Sequence, residues 1–195
     1  AYDVETYSII DGSLRSPEYL AKSPAGRAPA LEVDETVIFE SPAITEYLCE
    51  THADSGLGRQ AGDPERIEFL QWLSFAETQA SILASLNLQM VFLRPPAKPS
   101  PIVVKLDVAR LRATVGVIEK AVQDQAWLLK TGFSAADTML GFNLFAAPFF
   151  VDLEPFPAVR AYIERINARP AYKKAISIEG PQMFYSKDFY PVPEA

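Results

Sequence analysis

The pattern of hydrophobic and polar positions changes character after residue 52, and before that point the apolar runs are short. Residues 4–10 (VETYSII) are rich in β-branched and aromatic side chains and predict a strand. The runs PALEV (29–33) and TVIFE (36–40) are separated by two polar residues and predict a hairpin. Ser16 followed by Pro17 predicts a short helix between these elements, because serine is a preferred N-cap and proline fits the first helical position.

A second helix start directly follows the hairpin. The stretch FESPAITEYL (39–48) places an acid, a serine and a proline in a row where the strand ends. Ser41 is expected to be the N-cap and Pro42 the first helical residue. The polar stretch 53–63 contains three glycines and predicts a linker.

From Pro64 onwards the pattern is helical. Residues 64–94 predict one long apolar-rich segment, and PPAKPSP (95–101) predicts a loop. In the next helix, apolar residues recur at spacings of 4, 3, 4, 3 and 4, which predicts one buried stripe. The stripe consists of Val104, Val108, Leu111, Val115, Ile118 and Val122.

The last part of the chain predicts three more helices and a tail. FSAAD (133–137) predicts a capping box between Ser134 and Asp137, followed by a helix that is apolar nearly all round and suits the centre of a bundle. Two further helices are expected, the second starting at Pro170. The tail has no helical period and is expected to lie across the bundle surface.

Composition and charge narrow the function. The chain has 195 residues and a net charge of −7, and it lacks the clusters of Lys and Arg that nucleic acid requires. With one cysteine (Cys49) and one histidine (His52), it has little material for a disulfide framework, a zinc site or a Ser-His-Asp triad. No run of 18 apolar residues and no secretory signal pattern is present, so we expect a cytoplasmic protein without a membrane span. The chemistry is expected to belong to a bound small molecule.

Taken together, three stretches resemble the cytosolic glutathione transferases of bacterial and fungal type: residues 16–48, FSAAD (133–137) and RPAYKKA (169–175). The resemblance implies an α/β thioredoxin-like domain over residues 1–52, a linker over 53–63 and an all-α domain over 64–195. It also implies glutathione as co-substrate, no metal, a cytoplasmic homodimer and conjugation of the glutathione thiol to small hydrophobic electrophiles.

The same resemblance assigns a glutathione site. Pro29 would be the cis-proline of the thioredoxin fold, and the backbone of Ala28 would pair with the cysteinyl part of glutathione. Ser41, at a helix N-terminus, would hold the glutamyl carboxylate, while Glu40 would accept from the glutamyl ammonium. Arg27 is a weak candidate for the glycyl carboxylate, and Lys22 and Arg15 are similarly weak candidates. Without the resemblance, Glu40 is a surface acid and Ser41 an ordinary cap.

Two parts of the family pattern remain open. The family's domain begins with a strand, a loop that carries a catalytic Ser, Tyr or Cys, and a helix, whereas this chain begins at the next strand. We therefore expect the thioredoxin-like domain to be incomplete at its start, and the catalytic residue is unknown. By position in the helical part, the electrophile pocket is expected to include Phe75, Gln79, Ile82, Met90, Phe184 and Tyr185, for which ordinary packing is the alternative.

Two other functions fit the same scaffold. One is a non-catalytic interaction module, as in the elongation-factor gamma subunit or the stringent starvation protein. The other is a glutathione-dependent lyase, isomerase or reductase. The retained pairs Ala28-Pro29 and Glu40-Ser41 favour a protein that binds glutathione over a pure interaction module.

Overall fold

The predicted hairpin is present in the computed structural model, which describes residues 2–194. Strand β1 pairs with β2 in antiparallel register from Ala30 opposite Phe39 to Val33 opposite Thr36. The first of two compact units, which ends at Gly58, contains this hairpin and two helices. These elements are α1 (Pro17–Lys22), β1 (Ala30–Val33), β2 (Thr36–Phe39) and α2 (Ser41–Thr51).

The strand predicted over residues 4–10 is wrong. The sheet has two strands, and neither pairs with this segment. Side chains hold the segment to α1 instead: the rings of Tyr7 and Tyr19 lie 4.3 Å apart, and Lys22 contacts Glu5 at 2.7 Å. A β-rich composition becomes a strand only where a neighbouring strand supplies the hydrogen bonds.

The two helix starts of this unit follow the sequence, with one correction. Ser16 caps α1 and accepts a hydrogen bond from the Tyr19 amide at 3.1 Å. Helix α2 already includes Ser41, so its N-cap is Glu40 and not Ser41 as predicted. The carbonyl of Glu40 accepts from the Ile44 amide at 3.0 Å, which makes it the first acceptor of the helix.

The second unit begins at Arg59 and is helical. Helix α3 (Arg66–Asn87) packs against α4 (Pro101–Val122) and α5 (Ala135–Ala146). Helix α6 (Pro157–Ala168) packs against α4, α5 and α7 (Pro170–Glu179). The predicted stripe on α4 is confirmed, since all its members except the half-buried Val108 are buried. A π-helical turn (Leu88–Phe92) extends α3.

The capping box at the start of α5 is also confirmed. The Ser134 amide donates to the Asp137 carboxylate at 2.7 Å, and Leu140 and Leu144 are buried in the bundle. The helix is less enclosed than its sequence suggested, because Phe142 and Phe145 lie on the face that α3 and α6 leave open and are 72% and 40% exposed.

The tail after α7 lies on the bundle without regular structure, as predicted. The Tyr190 amide donates to the Phe149 carbonyl at 2.8 Å, in the short 3-10 turn that follows α5. The ring of Tyr185 stacks on the ring of Phe149 with centroids 4.0 Å apart. The tail is therefore attached through backbone and aromatic contacts.

Candidate functional site

Glu40 has an unusual backbone conformation at the junction of β2 and α2. Its φ is 75° and its ψ is 119°, although it carries a side chain, and that side chain is exposed. Such a conformation costs about 1–3 kcal/mol and is found mostly at functional sites. Glu40 immediately precedes α2, whose first-turn amides have no acceptor within the helix, and its side chain forms no capping hydrogen bond with them.

The hairpin register brings the two predicted halves of the site to one place. Ala30 lies opposite Phe39 at the end of the ladder. The segment that enters β1, Ala28-Pro29, and the segment that leaves β2, Glu40-Ser41, therefore lie at the same end of the hairpin. The Ala28–Pro29 bond is cis, as the resemblance implied, and both residues are exposed.

Two side chains that the sequence analysis missed fix the segment before Ala28. The hydroxyls of Tyr19 and Ser23 both donate to the Arg27 carbonyl, at 2.8 and 2.7 Å. Tyr19 and Ser23 are 3% and 2% exposed, so α1 holds this carbonyl from within the unit. Tyr19 belongs to α1 and Ser23 is its C-cap, so both side chains stand at the end of this helix.

The three basic candidates differ in what their side chains contact. Lys22 bridges Glu32 and Glu5 at 2.8 and 2.7 Å, and these hydrogen bonds, led by that from Glu32, raise the pKa of Lys22 above its ordinary value. Arg15 donates to the Ala25 carbonyl at 3.4 Å. Arg27 is exposed and directly precedes Ala28.

The six residues predicted for the electrophile pocket do not share one cavity. Phe75 lines a groove of about 480 Å³ with Trp72 and Val117, whereas Ile82 lines a groove of about 390 Å³ with Leu106. The two grooves have no lining residue in common.

Gln79 lies inside the bundle and not in a pocket. It is fully buried and donates to the Thr114 hydroxyl at 2.9 Å. The other three predicted residues lie near the C-terminal end of α3. Met90 lies in the π-helical turn, and the ring of Phe184 contacts the ring of Phe92 with centroids 5.7 Å apart. The Tyr185 hydroxyl donates to the Asn87 side-chain oxygen.

Two further observations concern the described residues as a whole. Within residues 2–194, no group of three or more His, Cys, Asp or Glu side chains is arranged to hold a metal ion. In the same range, no helix is both long and apolar enough to cross a membrane. Cys49 is buried on α2 and forms no disulfide there.

A thioredoxin-like α/β unit followed by an all-helical unit is the fold of the solved glutathione transferases that this chain resembles. Residues 1–56 match the family model "Glutathione S-transferase, N-terminal domain". Over 188 residues the chain is 26% identical to glutathione S-transferase GST-4.5 of Xanthomonas campestris pv. campestris, covering 89% of this chain and 86% of that protein. The first 56 residues thus match the N-terminal domain of the glutathione S-transferases, and the chain is similar to named glutathione S-transferases over most of its length, as the resemblance implied.

A solved structure and a second relative extend this result. The glutathione transferase URE2P6 of Phanerochaete chrysosporium, in complex with oxidized glutathione, has a TM-score of 0.80 at 26% identity, covering 91% of this chain and 84% of that one. Elongation factor 1-gamma of Prunus avium is 29% identical over 193 residues, covering 93% of this chain and 42% of that protein. The named transferases bear out the prediction of an enzyme of this class, and the elongation factor shows that the scaffold also occurs in proteins with other names.

Proposed function

We propose that this chain binds glutathione at the junction of the hairpin with α2 and conjugates the thiol to small hydrophobic electrophiles. The observation that carries the proposal is Glu40, whose exposed carboxylate follows β2 at φ 75° and immediately precedes a helix N-terminus. An acid beside an anion-favouring helix end matches the zwitterionic head of a glutamyl group.

In the proposed complex, each polar part of glutathione has one partner. Ser41 and the first turn of α2 hold the glutamyl carboxylate, and Glu40 accepts from the glutamyl ammonium. The backbone of Ala28, next to Pro29, pairs with the cysteinyl part in the manner of an added strand. Arg27 is the candidate for the glycyl carboxylate. Pro42 removes one amide from the helix end, so Ser41 carries more of the anion binding.

The reaction requires the glutathione thiolate. A free thiol has a pKa near 8.5, so only a few per cent is ionised at pH 7. A hydroxyl or other donor next to the sulfur would stabilise the thiolate, which then attacks an electrophilic carbon and displaces its leaving group. None of the residues proposed above is assigned to this step, because each of them binds a part of glutathione other than the sulfur.

The proposal includes a cytoplasmic homodimer, as the resemblance implies. The apolar side chains along the two grooves between α3 and α4, including Leu106 (51% exposed) and Ile102 (73% exposed) near one of them, are consistent with a protein partner. Sedimentation at micromolar concentration tests this part separately from ligand binding.

Calorimetric titration with glutathione tests the site. We expect Glu40→Gln and Ser41→Ala each to weaken binding by about tenfold, the equivalent of one charge-assisted hydrogen bond. Glu50→Gln is the matched control, because Glu50 is an exposed acid at the other end of α2. Unchanged affinity in both site variants would remove Glu40 and Ser41 from the proposal.

The similarity to elongation factor 1-gamma favours one alternative, a non-catalytic interaction module. Retention on immobilised glutathione distinguishes the two functions, since an interaction module should pass through unretained. A lyase, isomerase or reductase on this fold would also bind glutathione. Its reaction would release glutathione or glutathione disulfide and would form no conjugate. Mass spectrometry of the products separates these reactions from transfer.

A further inference from the structure

The ring of Tyr185 occupies a slot of aromatic side chains at the end of the helical bundle. It stacks on Phe149 with centroids 4.0 Å apart and planes 13° apart. Phe145, Phe150 and Tyr190 surround it at centroid distances of 6.4, 6.1 and 6.3 Å. We call Phe145, Phe149, Phe150 and Tyr190 the aromatic slot. A parallel stack with aromatic walls is the geometry by which proteins hold flat aromatic rings.

The slot also has a polar end. The Tyr185 hydroxyl donates to the Asn87 side-chain oxygen at 2.9 Å. Asn87 is the last residue of α3, next to the π-helical turn Leu88–Phe92. Such turns occur frequently at functional sites. The slot therefore offers a flat apolar space with one hydrogen-bond acceptor, which is the arrangement that recognises a phenol.

The segment that carries Tyr185 is attached to the bundle at few points. We call residues 181–189 the strap; it contains no helix or strand and runs from Gly180 to the buried Tyr190. Among the described residues, its one polar side-chain bond to the helices is that from Tyr185 to Asn87. Gly180 follows the last residue of α7 at φ 81°, and a Cβ there would meet no atom within 4 Å.

The turn of the strap is stabilised from within and does not depend on the bundle. The Gln182 side-chain oxygen accepts from the Phe184 and Tyr185 amides at 3.0 and 2.9 Å, and its nitrogen donates to the Tyr185 carbonyl at 2.9 Å. Met183 is 75% and Phe189 45% exposed, so these large apolar side chains contribute little to attachment. Lifting the strap would therefore break mainly the contacts of the Tyr185 ring and the edge contact between the rings of Phe184 and Phe92, whose centroids lie 5.7 Å apart.

We propose that the aromatic slot is a binding site for flat aromatic molecules that carry a hydrogen-bond donor, and that Tyr185 is its resident occupant, which such a ligand displaces. The ligand ring takes the place of the Tyr185 ring on Phe149, and its donor takes the place of the Tyr185 hydroxyl on Asn87. The sequence predicted that Tyr185 lines a pocket. In this proposal its ring instead fills the space that the ligand takes. The proposal concerns the helical unit alone and does not rest on glutathione binding.

Titration with 4-methylphenol, the side chain of tyrosine as a free molecule, tests the proposal. A ligand that competes with a tethered ring binds with an affinity reduced by the fraction of open strap. We expect Tyr185→Ala to bind 4-methylphenol about tenfold or more tightly than wild type. Tyr185→Phe, which keeps the ring and loses the bond to Asn87, should bind about 2- to 10-fold more tightly. Tyr172→Ala is the control, because Tyr172 lies on α7 outside the slot.

Toluene tests the polar end, since it lacks only the hydroxyl. In the Tyr185→Ala background, a further Asn87→Ala change should abolish the preference for 4-methylphenol over toluene. Hydrogen exchange of wild type tests the strap directly. The Ser186 amide, which donates to the Tyr190 hydroxyl at 2.9 Å, should exchange faster with 4-methylphenol bound, while the Tyr190 amide on Phe149 keeps its protection.

Two results would overturn the proposal. In the first, Tyr185→Ala, shown to be folded by circular dichroism, does not bind 4-methylphenol. In the second, only Tyr185→Ala binds it and wild type does not, up to the solubility of the ligand, so that the strap is a fixed part of the fold. If Tyr185→Ala does not fold, Tyr185→Phe and the exchange of the Ser186 amide in wild type decide, and unchanged values in both reject the proposal.

Discussion

Tyr162 donates a 2.7 Å hydrogen bond to Asp137, and both side chains are fully buried where α6 packs against α5. The same carboxylate accepts from the amides of Ser134 at 2.7 Å and Leu128 at 3.0 Å. Asp137 thus connects the capping box of α5 with a second helix and with the loop before it. A buried carboxylate is tolerated because several donors surround it.

The first prediction concerns this bond. Tyr162→Phe should lower the free energy of unfolding by about 1.5–3 kcal/mol, the range for a hydrogen bond to a charged group. Urea unfolding followed by tryptophan fluorescence measures it, because both Trp72 and Trp127 lie in the second unit. Tyr172→Phe is the control and should change the value by less than about 0.5 kcal/mol. Equal effects of the two substitutions would contradict the prediction.

The same pair predicts a dependence on pH. Burial, followed by the charge of Asp137 and the hydrogen bond to it, raises the pKa of Tyr162 well above its ordinary value. Above about pH 10 the unfolded chain loses the Tyr162 proton while the folded chain retains it, so stability falls as the pH rises from there. Tyr162→Phe lacks this loss. The stability difference between wild type and Tyr162→Phe should therefore shrink above pH 10, and a constant difference would argue against it.

A second prediction follows from the close approach of the linker to α2. A Cβ on Gly58 would lie 2.6 Å from the Cβ of Cys49, closer than two carbons can approach. Gly58→Ala should destabilise the first unit by about 1–3 kcal/mol, as overpacking does. Hydrogen exchange of the α2 amides measures the effect.

Gly116→Ala is the opposite case and serves as the control. Gly116 lies within α4, and a Cβ there would meet only Phe156 at an ordinary distance of 3.8 Å. This substitution should stabilise the second unit by about 0.5–1 kcal/mol, because alanine has the higher helix propensity. A Gly58→Ala variant that is no less stable than wild type would show that the contact with Cys49 does not limit this position.

The third prediction concerns a helix that is capped by another helix. Glu119 of α4 accepts from the amides of Ala158 and Val159 at 3.1 and 2.8 Å, in the first turn of α6. Glu119→Ala should lower the free energy of unfolding by about 1–2 kcal/mol, since it removes both a cap and a favourable charge at the helix N-terminus. The exposed Glu164 of α6 is the control, and Glu164→Ala should have little effect. Equal effects of the two substitutions on the free energy of unfolding, measured in urea, would contradict a capping role for Glu119.

The elements that local patterns determine could be predicted from the sequence. The hairpin, the start of α1 and the capping box of α5 depend on residues within a few positions of each other, and all three are present. The strand over 4–10 failed because a strand depends on a partner, which composition does not reveal. The prediction that α5 is enclosed on nearly all sides failed at Phe142 for the same reason, because burial of a helix face depends on what packs against it.

The candidate site shows the same division. The sequence indicated Ala28, Pro29, Glu40 and Ser41 through the family resemblance, and the register of the hairpin brings both pairs to one end. It did not indicate that Tyr19 and Ser23 fix the Arg27 carbonyl, because that bond requires the fold of the whole segment between α1 and β1. Nor did it place Glu40 at φ 75°, since backbone conformation at a junction follows from both neighbouring elements.

The last prediction separates backbone strain from ligand binding at Glu40. Two residues other than glycine have positive φ among the described residues, Glu40 at 75° and Asp34 at 52° in the hairpin turn. Glycine adopts this conformation without strain, so Glu40→Gly and Asp34→Gly should each stabilise the first unit, by about 1 kcal/mol. Only Glu40→Gly should weaken glutathione binding, by about tenfold, because it removes the carboxylate proposed for the glutamyl ammonium. Calorimetric titration and hydrogen exchange of α2 give both values. Weaker binding in both variants would mean that flexibility of the hairpin, and not the carboxylate of Glu40, controls affinity.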